Sequence, residues 1–594
     1  MQKIAKEVAP MLSKHNDDIL LNPALFKRIK ALYENQKELN LNAEQERLLE
    51  KYYKRFSRNG ANLSEEDKDK LRKINEKLSL LTLQFGENVL KEVQRFEMVI
   101  EDSADLAGLP EGVIEAAASE AKNRGYEGKW VFTIDKPSLI PFLQYSERRD
   151  LREKMFKAYI YQGDHNDSLD NKNIIKEIVK LRVERANLLG YKTHAHFVLE
   201  ENMAKTPEAV YEFLNKVWEP ALKRAKSEAY DLQKLIQKEG HNFKLQPWDW
   251  WYYAEKIRKE KYALSEEELR PYFKLENVIQ GVFDVVHKLY GLTFVERNDI
   301  PVYHPDAKAY EVKEADGSHV GIIYLDYFPR KSKRGGAWMN SFRDQSRMFG
   351  ENITPIICNV GNFTKPTENT PSLLSFDEVL TLFHEFGHAL HGLLSDVTYE
   401  SLSGTNVPRD FVEVFSQIME NWAQEPEVMK SYARHYETGE PIPDELIEKI
   451  EKSKYFNQGF ATVEYMSAAF LDMDWHTLTS SDLADIEDVN EFEKKSLDAI
   501  GLIPEIVVRY RSTYFRHIFA GGYSSGYYSY LWSEMIEADA YELFKEKGIF
   551  DPETAKSFRE NMLSRGGTED PMELFIKFRG RKPDIQPLLK RKGL

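Results

Sequence analysis

The sequence His384-Glu385-Phe386-Gly387-His388 sets two histidines four residues apart with a glutamate beside the first. The surrounding run Ser375 to His391 carries apolar residues at three- and four-residue intervals and reads as a helix, so both imidazoles fall on one face, one turn apart. Two imidazoles need that spacing to share one tetrahedral zinc ion. Glu385 lies about 100° round the same helix, close enough to reach a water polarised by such an ion without ligating it. His391 lies on the histidine face too, but about 10 Å of helix rise separates it from His384, and it reads as a packing residue or as a support for a ligand.

A third ligand must come from another element, and Ser403 to Trp422 reads as the next helix. Glu413 is the choice there, because Phe411, Val412, Val414 and Phe415 enclose it and an acid so enclosed needs a specific positive partner. The competing reading makes Glu413 a helix cap or a partner of Arg409. Glu420, two turns on, either orients a ligating histidine or is a solvated acid. Structural zinc sites close with four ligands and are rich in cysteine, whereas the single cysteine here, Cys358, sits in the apolar run Pro355 to Asn359 as a buried thiol. An open, hydrolytic site with Glu385 as general base is therefore expected. Its oxyanion needs donors, and Tyr523, Tyr527 and Tyr530 stand at i, i+4 and i+7 beside the glycine-rich turn Phe519 to Gly526, on what reads as one helical face. Ordinary core packing is the competing reading of those rings.

The elements that must hold these groups are mostly helical. Residues 1 to about 290 alternate charged stretches with apolar residues at helical spacing, as in Leu71, Ile74, Leu78, Leu81 and Phe85, with Ser64 and Thr206 as N-caps. Between about 300 and 362 the period shifts to two. Ala309 to Lys313 and His319 to Asp326 flank a turn at Asp316-Gly317 as a hairpin, and Thr354 to Val360 forms a third strand before the motif helix. No flexible tether divides the 594 residues. Lys plus Arg number 82 against 97 Asp plus Glu, a net charge of −15 that opposes nucleic acid. No apolar run approaches the roughly 18 residues of a membrane span, and no secretory leader opens the chain. A cytoplasmic monomer is expected, or a periplasmic one if a leader has been removed.

Several segments together resemble the thimet oligopeptidase family of metallopeptidases, most closely its bacterial dipeptidyl carboxypeptidase branch. They are His384-Glu-Phe-Gly-His-Ala-Leu-His391, Gly404-Thr-Asn-Val-Pro-Arg-Asp-Phe-Val-Glu413, Arg185 to Tyr191, Pro329 to Trp338, His517 to Trp532 and Arg565 to Met572. The resemblance implies a mainly α, two-lobed, clam-like helical body with a deep substrate channel and a small β-sheet beside the zinc-binding helix. Residues 1–290 would form mainly an N-terminal lobe and 291–594 mainly the catalytic lobe, interleaved in sequence. It also implies one zinc ion on His384, His388 and Glu413, short peptides as substrates, and His517, Tyr523 and Tyr530 at the substrate and transition state, with Tyr527 a further substrate contact. Release of C-terminal dipeptides is the expected activity, internal cleavage the alternative, and an inactive peptide-binding protein a remote third that the presence of all four motif residues opposes. A cation must receive the terminal carboxylate, and Arg509, Arg511, Arg516 and Arg343 are the candidates. Two departures from the family are Val414-Phe415, where a proline is usual before the Ser-Gln, and a start partway into the family's N-terminal helical region.

Overall fold

The computed structural model describes residues 2–594 and is mainly helical. Helix α1 (Glu65–Arg95) starts where Ser64 Oγ accepts the Asp67 N–H at 3.2 Å, with acids filling the first turn, and it buries Leu71, Leu78 and Phe85. Helix α2 (Lys172–Leu188) buries Ile174, Ile175, Ile178 and Val179. Helix α3 (Pro207–Lys238) starts at Thr206, whose Oγ1 accepts the Ala209 N–H at 3.2 Å, with Pro207 in the first position, where its missing N–H costs nothing. The later helices used below are α4 (Phe376–Leu393), α5 (Val414–Gln424), α6 (Gln458–His476) and α7 (Ser529–Lys547). Helix α6 is buried on nearly all sides, and at Gly459 it approaches α3 so closely that a Cβ would stand 2.5 Å from the Ala225 nitrogen.

Apolar residues gather into two large cores. One draws on α1, α2 and α3 and returns to the chain in α6 and in the segment from Ile506 to Leu531. The other runs from Leu264 through the sheet, α4 and α5 to Ile447, and resumes at Ile536 in the C-terminal half of the chain. The chain thus crosses between the cores more than once, and α7 contributes Leu531 to the first and Ile536 to the second.

A five-stranded sheet belongs to the second core, in the order β3 (Thr293–Glu296), β4 (Lys308–Lys313), β5 (His319–Asp326), β7 (Ile356–Val360), β6 (Trp338–Arg343). The expected hairpin is β4–β5, turning at Gly317 with φ +85°. The expected third strand, β7, lies parallel to β5 and carries Ile357 into the core. Strands β3 and β6 were not expected. They are edge strands with little buried surface, so their sequences lack the alternation that marks a half-buried strand. A further pair, β1 (Met98–Ile100) with β2 (Trp130–Phe132), interrupts the helical first half.

Candidate active site

Helix α4 is fixed at both ends of its catalytic stretch. Ser375 Oγ accepts the Glu378 N–H at 3.1 Å, and the Glu378 carboxylate accepts the Ser375 N–H at 2.8 Å and the Thr364 N–H at 2.7 Å. Further along, Asn359 of β7 donates to the Glu385 carbonyl at 2.7 Å, and Tyr327 donates to Asn359 Oδ1 at 3.1 Å, so the sheet holds the helix in register. At Gly387 a Cβ would stand 2.2 Å from the Phe415 carbonyl oxygen, and glycine there lets α5 approach α4 closely.

That approach brings the third ligand in. Glu413 lies between the short helix Arg409–Val412 and α5, is buried, and directs Oε2 to His388 Nε2 at 3.0 Å and His384 Nε2 at 3.2 Å. One atom from each of the three lies within 4.8 Å of the others. The break in helix at Glu413, where Val414-Phe415 follows, leaves this convergence intact. His384 Nδ1 meets Glu420 Oε1 at 2.7 Å, so Glu420 orients a histidine. Ser416 Oγ donates to Glu413 Oε2 at 2.9 Å and Tyr523 Oη donates to Oε1 at 2.5 Å, which satisfies the carboxylate on both oxygens. Burial pushes the Glu413 carboxyl up, yet His388 and His384 hold it well below the ordinary range. Burial likewise disfavours a charged His384, yet Glu413 and Glu420 raise it. Two Nε2 atoms and an ionised carboxylate converging this way form a donor set that fits a divalent metal.

Glu385 lies beside this group, buried, with Oε2 bonded to nothing. Burial raises its carboxyl, partly offset by His384 and His388. His391 is fully buried with both nitrogens unpartnered, its ring 3.8 Å from that of Phe415, and burial pushes it down to about 3. It is a neutral packing residue.

The tyrosines reach the metal group from the first core. Residues 523–528 form a turn, and only Tyr530 lies in α7, so the three phenols do not share a helical face. Their rings still cluster: Tyr523 stacks on Tyr530 at 5.4 Å and 7°, and Tyr527 lies 5.5 Å from Tyr530. Tyr523 and Tyr530 are half-buried, whereas Tyr527 and Tyr528 are buried. Burial and then Glu413 raise Tyr523, and burial followed by Tyr523 raises Tyr530, so both stay protonated as donors. The His517 ring stands 5.8 Å from Tyr523 and 5.2 Å from Tyr527; burial, with Arg509 and Arg516, pushes it down to about 3 and keeps it neutral. Arg409, read as a possible partner of Glu413, instead lies 4.5 Å over the Tyr523 ring, and a Cβ on Gly522 would stand 3.0 Å from its Nη2.

Two buried acids hold this turn in place, and the sequence alone did not single them out. Asp472 of α6 accepts the N–H groups of Ser525, Gly526 and Tyr527 at 2.8, 2.9 and 2.9 Å, which keeps Ser525 at φ +53°. Arg182 of α2 can only donate, so its 2.7 Å contact makes His476 Nε2 an acceptor and puts the proton on Nδ1, 2.8 Å from Asp472 Oδ1. Asp410, three residues before Glu413, accepts the Tyr528 hydroxyl at 2.8 Å and the Met203 and Ala204 N–H groups at 2.9 Å each. Asp410 lay inside a recognised segment, but nothing in its spacing pointed to partners on distant elements.

Residues 142–594 match the model of peptidase family M3. The dipeptidyl carboxypeptidase of Escherichia coli strain K12 is 42% identical over 100% of this chain and 87% of its own length. Oligopeptidase A of Haemophilus influenzae is 37% identical over 98% of this chain and 86% of its own. The solved structure of PZ peptidase A with an inhibitor shares the fold at a TM-score of 0.55 and 15% identity, covering 100% of this chain and 85% of that one. A family match over most of the chain and full-length relatives accompany a converged His-His-Glu group beside a buried glutamate: the chain belongs to peptidase family M3 and is a metallopeptidase.

Proposed function

We propose that the enzyme is a zinc peptidase that releases dipeptides from the C-termini of oligopeptides. The observation that carries it is the convergence of His384, His388 and Glu413 within 4.8 Å beside the unbonded carboxylate oxygen of Glu385. Zinc held there would supply Lewis acidity toward the scissile carbonyl and the attacking water. Glu385 takes the proton of that water and delivers it to the leaving amine. The neutral phenol of Tyr530 donates a hydrogen bond to the oxygen that becomes negative, Tyr523 stacks beside it with its own proton on Glu413, and neutral His517 positions the substrate next to them. Tyr527, buried against His517, supports that wall. Strand β6, at the edge of the sheet, offers main-chain groups to an extended peptide and so holds substrates of varied sequence.

The two cores are, in this reading, two interleaved lobes with the metal ligands on one and the tyrosine turn on the other, and the protein works as a cytoplasmic monomer. The preference for dipeptide release rests on the relative at 42% identity. The second reading, internal cleavage, is favoured by the oligopeptidase A relatives at 36 to 37% identity. Mass spectrometry of a free-acid decapeptide and its C-terminal amide, with a chelator control, separates them. Successive dipeptides from the free acid alone are expected; internal cuts in both peptides would replace this reading with the second, and the absence of chelator-sensitive cleavage would remove both.

A further inference from the structure

Arg182 helps to hold the tyrosine turn, and it also lines a cavity away from the metal group. Arg185, one turn further along α2, lines the same cavity, which measures about 290 Å³ and is walled on its other sides by α1 and the N-terminal helix Gln2–Leu20. That volume suits a ligand of a few heavy atoms. Arg185 opens the segment Arg185 to Tyr191, which the metal site does not use.

The charges of the cavity do not balance. Arg182 is 6% exposed and bonds the neutral His476 in place of an acid, and the Nε of Arg185 is buried without a partner. Among the described residues neither guanidinium forms an ion pair. The one acid of the wall is Asp17, whose Oδ1 accepts the Asn75 amide at 2.8 Å and whose Oδ2 is buried and unbonded. Two guanidiniums against one carboxylate leave a positive charge over. Burial pushes Arg182 down to about 9, with Arg185 adding to the push, and Arg185 to about 10. Cations drawn out of water without a full counter-charge cost free energy that an arriving anion relieves.

The donors present favour an oxyanion over a bare halide. Each guanidinium can bond two oxygens at once. Asn59 and Asn75 also line the cavity and spend one amide N–H each, on the Arg55 carbonyl at 2.7 Å and on Asp17, which leaves a second N–H in each. Arg182 is shared with the contacts that fix the turn: Nη1 meets His476 Nε2 at 2.7 Å, His476 Nδ1 lies 2.8 Å from Asp472 Oδ1, and Asp472 accepts the N–H groups of residues 525–527. We propose that this cavity binds one small oxyanion of the phosphate or sulfate kind through Arg182 and Arg185, and that its occupancy steadies the tyrosine turn through His476 and Asp472.

The test uses the full-length, zinc-loaded protein, with sodium sulfate as the probe and ionic strength held constant with sodium chloride. Sulfate should raise the melting temperature saturably, by about 1 °C at ten times its half-saturating concentration. The kcat for a peptide substrate should rise by roughly two- to fivefold with the same half-saturation. Both responses should vanish in Arg185→Gln, whereas sulfate on the metal, or its general exclusion from protein surface, is indifferent to Arg185. No saturable response in the parent, as expected of a site that takes chloride equally well, overturns the oxyanion assignment, and so does a response undiminished in Arg185→Gln. A melting response that needs Arg185, with kcat unmoved, leaves the site standing and overturns its link to the turn. Should Arg185→Gln not fold, Ser79→Asp is measured instead, which sets a second carboxylate in the cavity wall. Half-saturation raised roughly tenfold or more supports the site, and an unchanged value overturns it.

Discussion

Glu385 is buried beside two imidazoles with one oxygen unbonded, and a glutamine there keeps the shape while losing the base. Glu385→Gln should retain stoichiometric zinc by atomic absorption and lose roughly 10²- to 10⁴-fold in turnover; undiminished turnover would take the proton-transfer role from this residue. Tyr530 and Tyr523 stack, but Tyr523 spends its proton on Glu413, which makes Tyr530 the better oxyanion donor. Tyr530→Phe should lower kcat by roughly 10²- to 10³-fold with KM changed by no more than about threefold, and a rise in KM alone would make Tyr530 a substrate-binding residue. The placement of His384, Glu385 and His388 was legible because the metal motif needs only one helix to convert spacing into geometry. Glu413 was legible because four apolar neighbours bury it. Asp472 was not, since its partners lie 53 to 55 residues further on and only tertiary structure makes them adjacent.

At the scale of elements, the tyrosine turn has few regular hydrogen bonds of its own and depends on α6 to hold it. In Asp472→Asn the amide nitrogen faces N–H groups that need an acceptor, leaving buried donors unsatisfied at about 1–3 kcal/mol each. The variant should melt earlier and lose on the order of 10²-fold in kcat through misplaced phenols, while zinc content stays the same. A lower melting point with kcat intact would show that the turn keeps its place without Asp472. The glycine-rich stretch was readable as an interruption between helices. Its extent was not, because Tyr523, Tyr527 and Tyr530 keep helical spacing while the Asp472 carboxylate draws residues 525–527 into a turn. Strands β3 and β6 escaped for the opposite reason: β6 gains its identity from pairing with β7, not from an apolar face.

For the whole molecule, helical content and the place of the sheet followed from periodicity, but the partition into two cores did not. It depends on which helices pack together, as when α6 returns to α3 between the stretch of the second core that ends at Ile447 and the stretch that resumes at Ile536. Both cores enclose neutral histidines: His194 and His476 in the first, His391 in the second, each pushed down chiefly by burial. Such a group, with an unfolded value of about 6.5, contributes stability that is complete above that pH and is lost as pH falls toward the folded value. His391 is the cleanest case, with a folded value of about 3, no exposure and no hydrogen-bond partner to lose. Between pH 6.5 and 3 it should cost the folded state about 1.4 kcal/mol per pH unit. In chelator, so that metal release affects both proteins alike, urea unfolding of the wild type and His391→Leu should give free energies whose difference shifts by about 2 kcal/mol between pH 7.5 and 5, in favour of the variant at the lower pH. A difference that does not move with pH would mean that His391 takes up its proton in the folded protein as readily as in the unfolded one, and that its burial is no barrier to charge.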